Sequence, residues 1–311
     1  MSKNFNEEEY LKKHLQDIDS KTQTQPISTY QEKNQLSDAT TISSLKYFSF
    51  DVVEFPCGIF YPAGTTIQIR PAEVIEIQSY SMIDDTNYYD IVEKTNEMLS
   101  SCVRIKYPDG RVSSYIDLRD PDRFYTILII RELTFQQGNT LAINATCTCK
   151  ANVQIELVRK NIRNRQIDEK IRKYYNPSFG CFTFNTKNGG VFNLAPPKIG
   201  LQRSFTDYII KENAEKRKAN MSFLKIIPFT LYNSNVITID EINKKLELFG
   251  KLSNPDFQFL NSAVDKMNFG PEKVSKICDS CGLEVHGEFT FPNGPSDIFI
   301  IHDAFEKFIE E

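Results

Sequence analysis

The chain has 311 residues, 40% of them hydrophobic, enough to bury a core of ordinary size in one large domain or two modest ones. Lys and Arg number 37 against 41 Asp and Glu, a formal net charge of −4, so there is no broad basic field and nucleic acid is disfavoured as a ligand. No run of about eighteen apolar residues occurs, and none follows the charged start MSKNFNEEEYLKKHLQ, which predicts neither a signal peptide nor membrane insertion.

Residues 1–45 are polar and are expected to form a flexible N-terminal arm with a short helix at Glu7–Asp17. From Tyr47 the run YFSFDVVEF reads as a strand, Pro56 to Gly64 as a loop, and TTIQIR as a half-buried strand. Pro71 suits the first position of a helix through Met82, because its missing N–H would have no partner there. A second helix is predicted over Thr86–Cys102. Asp120, Pro121 and Asp122 read as cap and first turn of a third, which turns Phe124, Ile127, Leu128 and Leu133 to the core and ends near Gly138. Asp84–Asp85 likewise reads as capping carboxylates. Alternation at Leu141, Ile143 and Ala145 breaks at Cys147 and Cys149 and resumes at Val153, Ile155 and Leu157, which predicts two strands joined by a cysteine-bearing turn.

This closes an N-terminal α+β half, 46–160. Mixed charge from Arg159 to Tyr174 marks 161–177 as a linker, and its basic residues, Arg159, Lys160, Arg163, Arg165, Lys170, Arg172 and Lys173, read as a solvated or partner-binding face. The C-terminal α+β half, 178–311, begins with FTFNTKNGGVFNLAPP, a hairpin turning at Asn188-Gly189-Gly190. Helices are predicted at Phe205–Lys218, at Ile239–Phe249 behind a Thr238 cap, and at Pro255–Met267. Alternation at Leu283, Val285, Phe289 and Phe291 follows Cys278 and Cys281, and a last helix covers Ile298–Phe308. The fold class is therefore α+β: two half-units of short strands, hairpins and helices.

Seven cysteines in a chain with no export signal favour metal ligation over disulfides for close pairs. In ICDSCGLEVHGEF, Cys278 and Cys281 have the spacing of a zinc knuckle, with Gly282 relieving crowding behind them. One pair cannot satisfy tetrahedral Zn2+. Cys147 and Cys149 in ATCTCK are the other close pair, and from a strand both would point the same way; together the four thiolates make a closed structural site that joins the halves like a split zinc ribbon. His286 is an alternative ligand, four free thiols are the plain alternative, and a redox Cys-x-x-Cys is disfavoured because a strand rather than a helix follows. Cys57, Cys102 and Cys181 read as small apolar residues. No phosphate loop is present, and neither His14 nor His302 has a nucleophile context, so no catalytic residue is assigned.

Several segments resemble the hub and hub-assembly baseplate proteins of T-even-type contractile-tailed bacteriophages: FPCGIFYPAGTTIQIRPAEVIEI, the helix ending LSSCVRI, DPDRFYTILIIREL, FTFNTKNGGVFNLAPP and CDSCGLEVHGEF. The resemblance spans most of Tyr47 to Phe299. It departs at Cys147-Thr148-Cys149, where the family pattern has Cys-x-x-Cys. It implies a virion component or an assembly factor that leaves the finished particle, bound to other tail and baseplate proteins within an oligomeric assembly and without a catalytic centre. A zinc-ribbon protein binding nucleic acid is the alternative from another class. The turn Phe60–Tyr61 and the polar arm are the expected contact surfaces.

Overall fold

Alternating apolar residues set the first sheet. The computed structural model describes residues 46–135, 141–186, 190–289 and 294–299; the arm, Gly138, Asn188, Gly189, Phe291, His302 and most of the expected last helix lie outside them. β1 (Phe48–Asp51), β2 (Thr66–Ile69), β3 (Val103–Lys106) and β4 (Val112–Ser114) pair antiparallel in chain order. Ile67 faces Ile105 and Ile69 faces Val103 across the ladder, and all four are buried because the pleat puts every second side chain on one face. The strand expected over YFSFDVVEF stops at Asp51. There the carboxylate of Asp51 accepts the Val53 N–H while Glu54 accepts the Asp51 N–H, and this capping box starts a 3-10 turn over Val52–Glu54.

Between β2 and β3 lie α1 (Val74–Ser81) and α2 (Tyr88–Cys102). Pro71 is not the first helical residue: α1 begins behind Glu73, whose N–H is held by Glu76, and Glu76 is fixed by two bonds from Arg70 at 2.9 and 2.5 Å. α2 buries Thr95, Asn96, Met98, Leu99 and Cys102, the three-to-four spacing of one helix face. α3 (Asp122–Thr134) buries every residue from Tyr125 to Arg131 and is the central helix of the core.

β5 (Ala142–Thr146) and β6 (Asn152–Glu156) form the expected hairpin. The stretch 161–177 does not stand apart as a linker. It carries β7 (Ile162–Asn164), α4 (Glu169–Arg172) and β8 (Tyr175–Asn176), and it buries Ile162 and Ile171. β8 pairs with β9 (Cys181–Asn185), and β9 with β10 (Val191–Leu194), the second predicted hairpin. Helices α5 (Ile199–Ala214), α6 (Met221–Thr230), α7 (Ile239–Gly250) and α8 (Asn254–Asp265) follow. α5 begins six residues before its predicted start at Phe205, and α6 was not predicted, since Pro228 interrupts its apolar run. β11 (Pro271–Ile277) pairs on one side with β12 (Glu284–Gly287) and on the other with β7. A 3-10 turn covers Pro295–Phe299.

The protein is thus α+β, with eight α-helices among the described residues and several small antiparallel sheets. One connected cluster of buried side chains runs from Phe50 to Phe299, so the two expected halves share a core.

Candidate metal centre

Two hairpin tips build the site. Cys147 and Cys149 lie in the turn expected between the two strands, since β5 ends at Thr146, so their common direction is set by the turn and not by strand alternation. That turn is closed by Lys150 N–H donating to the Cys147 carbonyl at 2.8 Å and Cys147 N–H donating to the Ala151 carbonyl at 2.9 Å, with Lys150 at φ 70°. The second tip joins β11 to β12. Cys278 N–H donates to the Leu283 carbonyl and Gly282 N–H to the Cys278 carbonyl, both at 2.8 Å. Gly282 sits at φ 74° with open space where a side chain would stand, so conformation rather than crowding requires the glycine.

The tips meet because the two hairpins nest. Ile143 and Ile155 of the first pack against β11 and β12 of the second at Gly287, where an added Cβ would lie 3.0 Å from Ile143 Cγ2, 3.3 Å from Val274 Cγ2 and 3.6 Å from Ile155 Cδ1. A bare backbone at Gly287 permits this approach, and burial of Ile143, Val153, Ile155, Val274 and Val285 holds it.

The predicted ligands Cys147, Cys149, Cys278 and Cys281 come together: all four Sγ atoms lie within 4.8 Å of one another and can hold a metal ion. Cys147 Sγ is 3.5 Å from Cys281 Sγ, and Cys149 Sγ is 3.8 Å from Cys278 Sγ. Cys147 and Cys278 are buried, while Cys149 and Cys281 are exposed. His286, the alternative ligand, stands exposed on β12 opposite Ser275 and is not part of the cluster. The metal-free thiols are not equivalent. The Cys149 N–H, with the surrounding thiols, draws Cys147 down to about 6. At Cys281 the Leu283 N–H acts to lower the value, but the bonds shared with the other three thiols and the loss of hydration push it up to about 12. A metal ion must therefore displace protons as it binds.

The carboxylates read as caps and first turns make contacts beyond those roles. Asp84 does accept from Thr86 N–H and Oγ1–H, at 3.0 and 2.6 Å, but Asp85 accepts from Ser296 N–H and Oγ–H far along the chain. Asp122 does open the first turn of α3, as expected, but its carboxylate is engaged far from the helix backbone. It is fully buried, and its two oxygens accept from Cys57 N–H at 2.8 Å and from Tyr61 Oη–H at 2.7 Å. Tyr61 Oη in turn accepts from Arg119 N–H at 2.8 Å. The Arg119 guanidinium donates to the carbonyls of Phe60, Pro196 and Tyr232 at 3.0, 2.8 and 2.7 Å. Burial pushes the Asp122 carboxyl up to about 7 against the pull of Tyr61, Cys57 and Arg119, and it pushes the Cys57 thiol well up as well. This clasp joins segments 57–61, 119–122, 196 and 232, and sequence reading missed it. The pattern Asp-Pro-Asp before an apolar run is also a cap pattern, and Asp122 lies 61 residues from Tyr61.

Phe60 and Tyr61, expected as a contact surface, are buried instead; Phe60 packs edge-on against Tyr175, Phe182 and Phe269. Val53, Ile59 and Phe179 are exposed apolar residues near that turn. In the basic stretch, Arg159 pairs with Glu132 and Glu54, Arg163 with Glu284, Arg165 with Glu272 and Arg172 with Glu169, so much of its charge is matched locally. Among the described residues no helix is long and apolar enough to cross a membrane.

Fold and site define an α+β protein whose nested hairpins present a four-cysteine cluster able to hold a metal ion. No protein-family model, no curated protein and no solved structure matches the chain.

Proposed function

We propose that this chain is a non-enzymatic structural protein folded around one zinc ion, and that it serves as a component of a bacteriophage tail baseplate hub, binding other tail proteins. The observation that carries the reading is the sulfur cluster drawn from tips 129 to 134 residues apart in sequence. Tetrahedral zinc with Zn–S bonds of about 2.3 Å separates its sulfurs by about 3.8 Å. The separations of 3.5 and 3.8 Å fit that requirement, and an all-sulfur donor set suits zinc among the common cellular metals. Four thiolates fill the coordination sphere and leave no open position for a substrate, as in structural sites. When bound, zinc would supply a tie between the hairpins.

The baseplate assignment rests on the resemblance of the motif series. Its support is that FPCGIFYP, DPDRFY and NLAPP are the segments gathered by Tyr61, Asp122 and Arg119, while CDSCG forms half of the sulfur cluster. Residues of the first three segments thus meet in one buried clasp. Locally matched basic charge favours protein partners over nucleic acid.

Elemental analysis of the purified chain is expected to give about one zinc per chain, lost in both Cys147→Ser and Cys278→Ser; full metal content in either variant refutes the shared site. Mass spectrometry of mature particles and of assembly intermediates tests the rest. Presence in both supports a hub component, presence only in intermediates makes the chain an assembly factor, and absence from both ends the assignment.

A further inference from the structure

We infer that the four-cysteine cluster is also a site of oxidative modification, which converts to two disulfides between the hairpins, Cys147–Cys281 and Cys149–Cys278, so that the tie survives loss of the metal. The inference rests on the zinc reading for its metal-bound state and on geometry for the rest. Each cross-hairpin pair, at 3.5 and 3.8 Å, combines one exposed sulfur with one buried sulfur: Cys281 with Cys147, and Cys149 with Cys278. The exposed member leaves each pair open to a dissolved oxidant, and its partner stands within reach to resolve a sulfenic acid. The arrangement occurs twice, with the exposed sulfur on the second tip in one pair and on the first tip in the other.

The oxidant is a peroxide. In each pair one sulfur, as thiolate, attacks one peroxide oxygen, the O–O bond breaks, and a sulfenic acid forms with release of hydroxide that takes up a proton as water. The thiolate of its partner then attacks the sulfenic sulfur; the S–S bond forms, the S–O bond breaks, and the departing hydroxide is protonated to a second water. Two thiols lose two electrons to one hydrogen peroxide, so two peroxides convert the whole cluster. A disulfide sulfur is a far poorer zinc ligand than a thiolate, so the metal leaves as the bonds form. The nested hairpins are already held at Gly287, Ile143 and Ile155 by apolar packing, which keeps the sulfurs facing one another meanwhile.

The experiment treats the full chain, as purified and after metal removal, with hydrogen peroxide. Metal release is followed by a chromogenic chelator, and non-reduced tryptic peptides are mapped by mass spectrometry. Cys147 and Cys149 fall on one tryptic peptide ending at Lys150, and Cys278 and Cys281 on another beginning after Lys276. Disulfides between hairpins therefore leave the two peptides joined, whereas disulfides within each tip leave them separate. The expected result is joined peptides from both preparations, with about two peroxides consumed per chain and, from the metal-loaded one, metal released in step. Separate peptides overturn the inference, as does sulfinic or sulfonic acid at Cys149 and Cys281 without crosslinking. A second measurement uses paired variants: Cys149→Ser with Cys278→Ser retains the Cys147–Cys281 pair and is expected to crosslink at least tenfold faster than Cys147→Ser with Cys278→Ser, which leaves the two exposed sulfurs. Equal rates refute the pairing. A chain that carries no zinc but still joins its peptides would fail the metal reading and leave this inference standing.

Discussion

Replacing Arg119 with Met keeps an unbranched apolar stem of similar reach and removes the guanidinium that ties three distant carbonyls. Arg119 is 5% exposed, and its donors reach Phe60, Pro196 and Tyr232 at 3.0, 2.8 and 2.7 Å, so water cannot readily take its place. Each buried carbonyl left without a donor costs about 1–3 kcal/mol. The variant also avoids burying a cation, which offsets part of that loss, and Asp122 loses a favourable neighbour. Removing one member of a buried charged network typically leaves a net cost of about 3–5 kcal/mol. For a chain of this size, that is a fall in Tm on the order of 10 °C. Urea denaturation followed by circular dichroism reads the change, with Arg163→Met as the control because Arg163 pairs with Glu284 at the surface and its loss should leave the midpoint in place. An Arg119→Met midpoint matching the control would show that the three carbonyls are satisfied some other way and that the clasp does not hold the segments together.

The remaining predictions concern the same core, one close backbone approach and one helix cap. Asp122, raised to about 7 from an ordinary carboxylate value, keeps a proton that the unfolded chain releases; the stability it contributes is complete below about pH 4 and is lost as pH rises through 7, on the order of 4 kcal/mol in all. Asp122→Asn cannot ionise, so its unfolding midpoint should change less between pH 5 and 8 than that of the parent; parallel profiles would contradict the assignment. At Gly58 an added Cβ would lie 2.3 Å from the Val52 carbonyl oxygen, so Gly58→Ala should destabilise by about 1–3 kcal/mol in denaturant titration. Thr238→Ala removes the side-chain oxygen that accepts the Glu241 N–H and should cost about 1 kcal/mol by the same measurement, with metal content unchanged.

What the sequence made legible were features whose cause is local. The Thr238 cap, the hairpins at 142–156 and 181–194 and the Cys278–Cys281 turn each follow from residues within a few positions of one another, and each appears where it was expected. The pairing of the two cysteine turns was also legible, because one pair alone leaves a tetrahedral ion half ligated. What was not legible depends on distant partners. β7 reads as charged linker until β11 supplies its ladder, and PEKVSKI has too little alternation to announce itself as a central strand. Asp122 carries the local signature of a cap, and only the fold brings Cys57 and Tyr61 to its oxygens. Phe60 and Tyr61 fail as surface residues for the same reason: a Pro- and Gly-rich loop looks exposed until the aromatic residues of β8 and β9 cover it.

The wide spacing between the two cysteine tips has a consequence for biosynthesis. A ribosome adds about 5–20 residues per second. The Cys147 sulfur therefore leaves the exit tunnel on the order of ten seconds ahead of the Cys281 sulfur, 134 residues later. During that interval the nascent chain offers a metal ion only a two-sulfur claw, and the full set of four sulfurs is on offer only once the second tip has emerged.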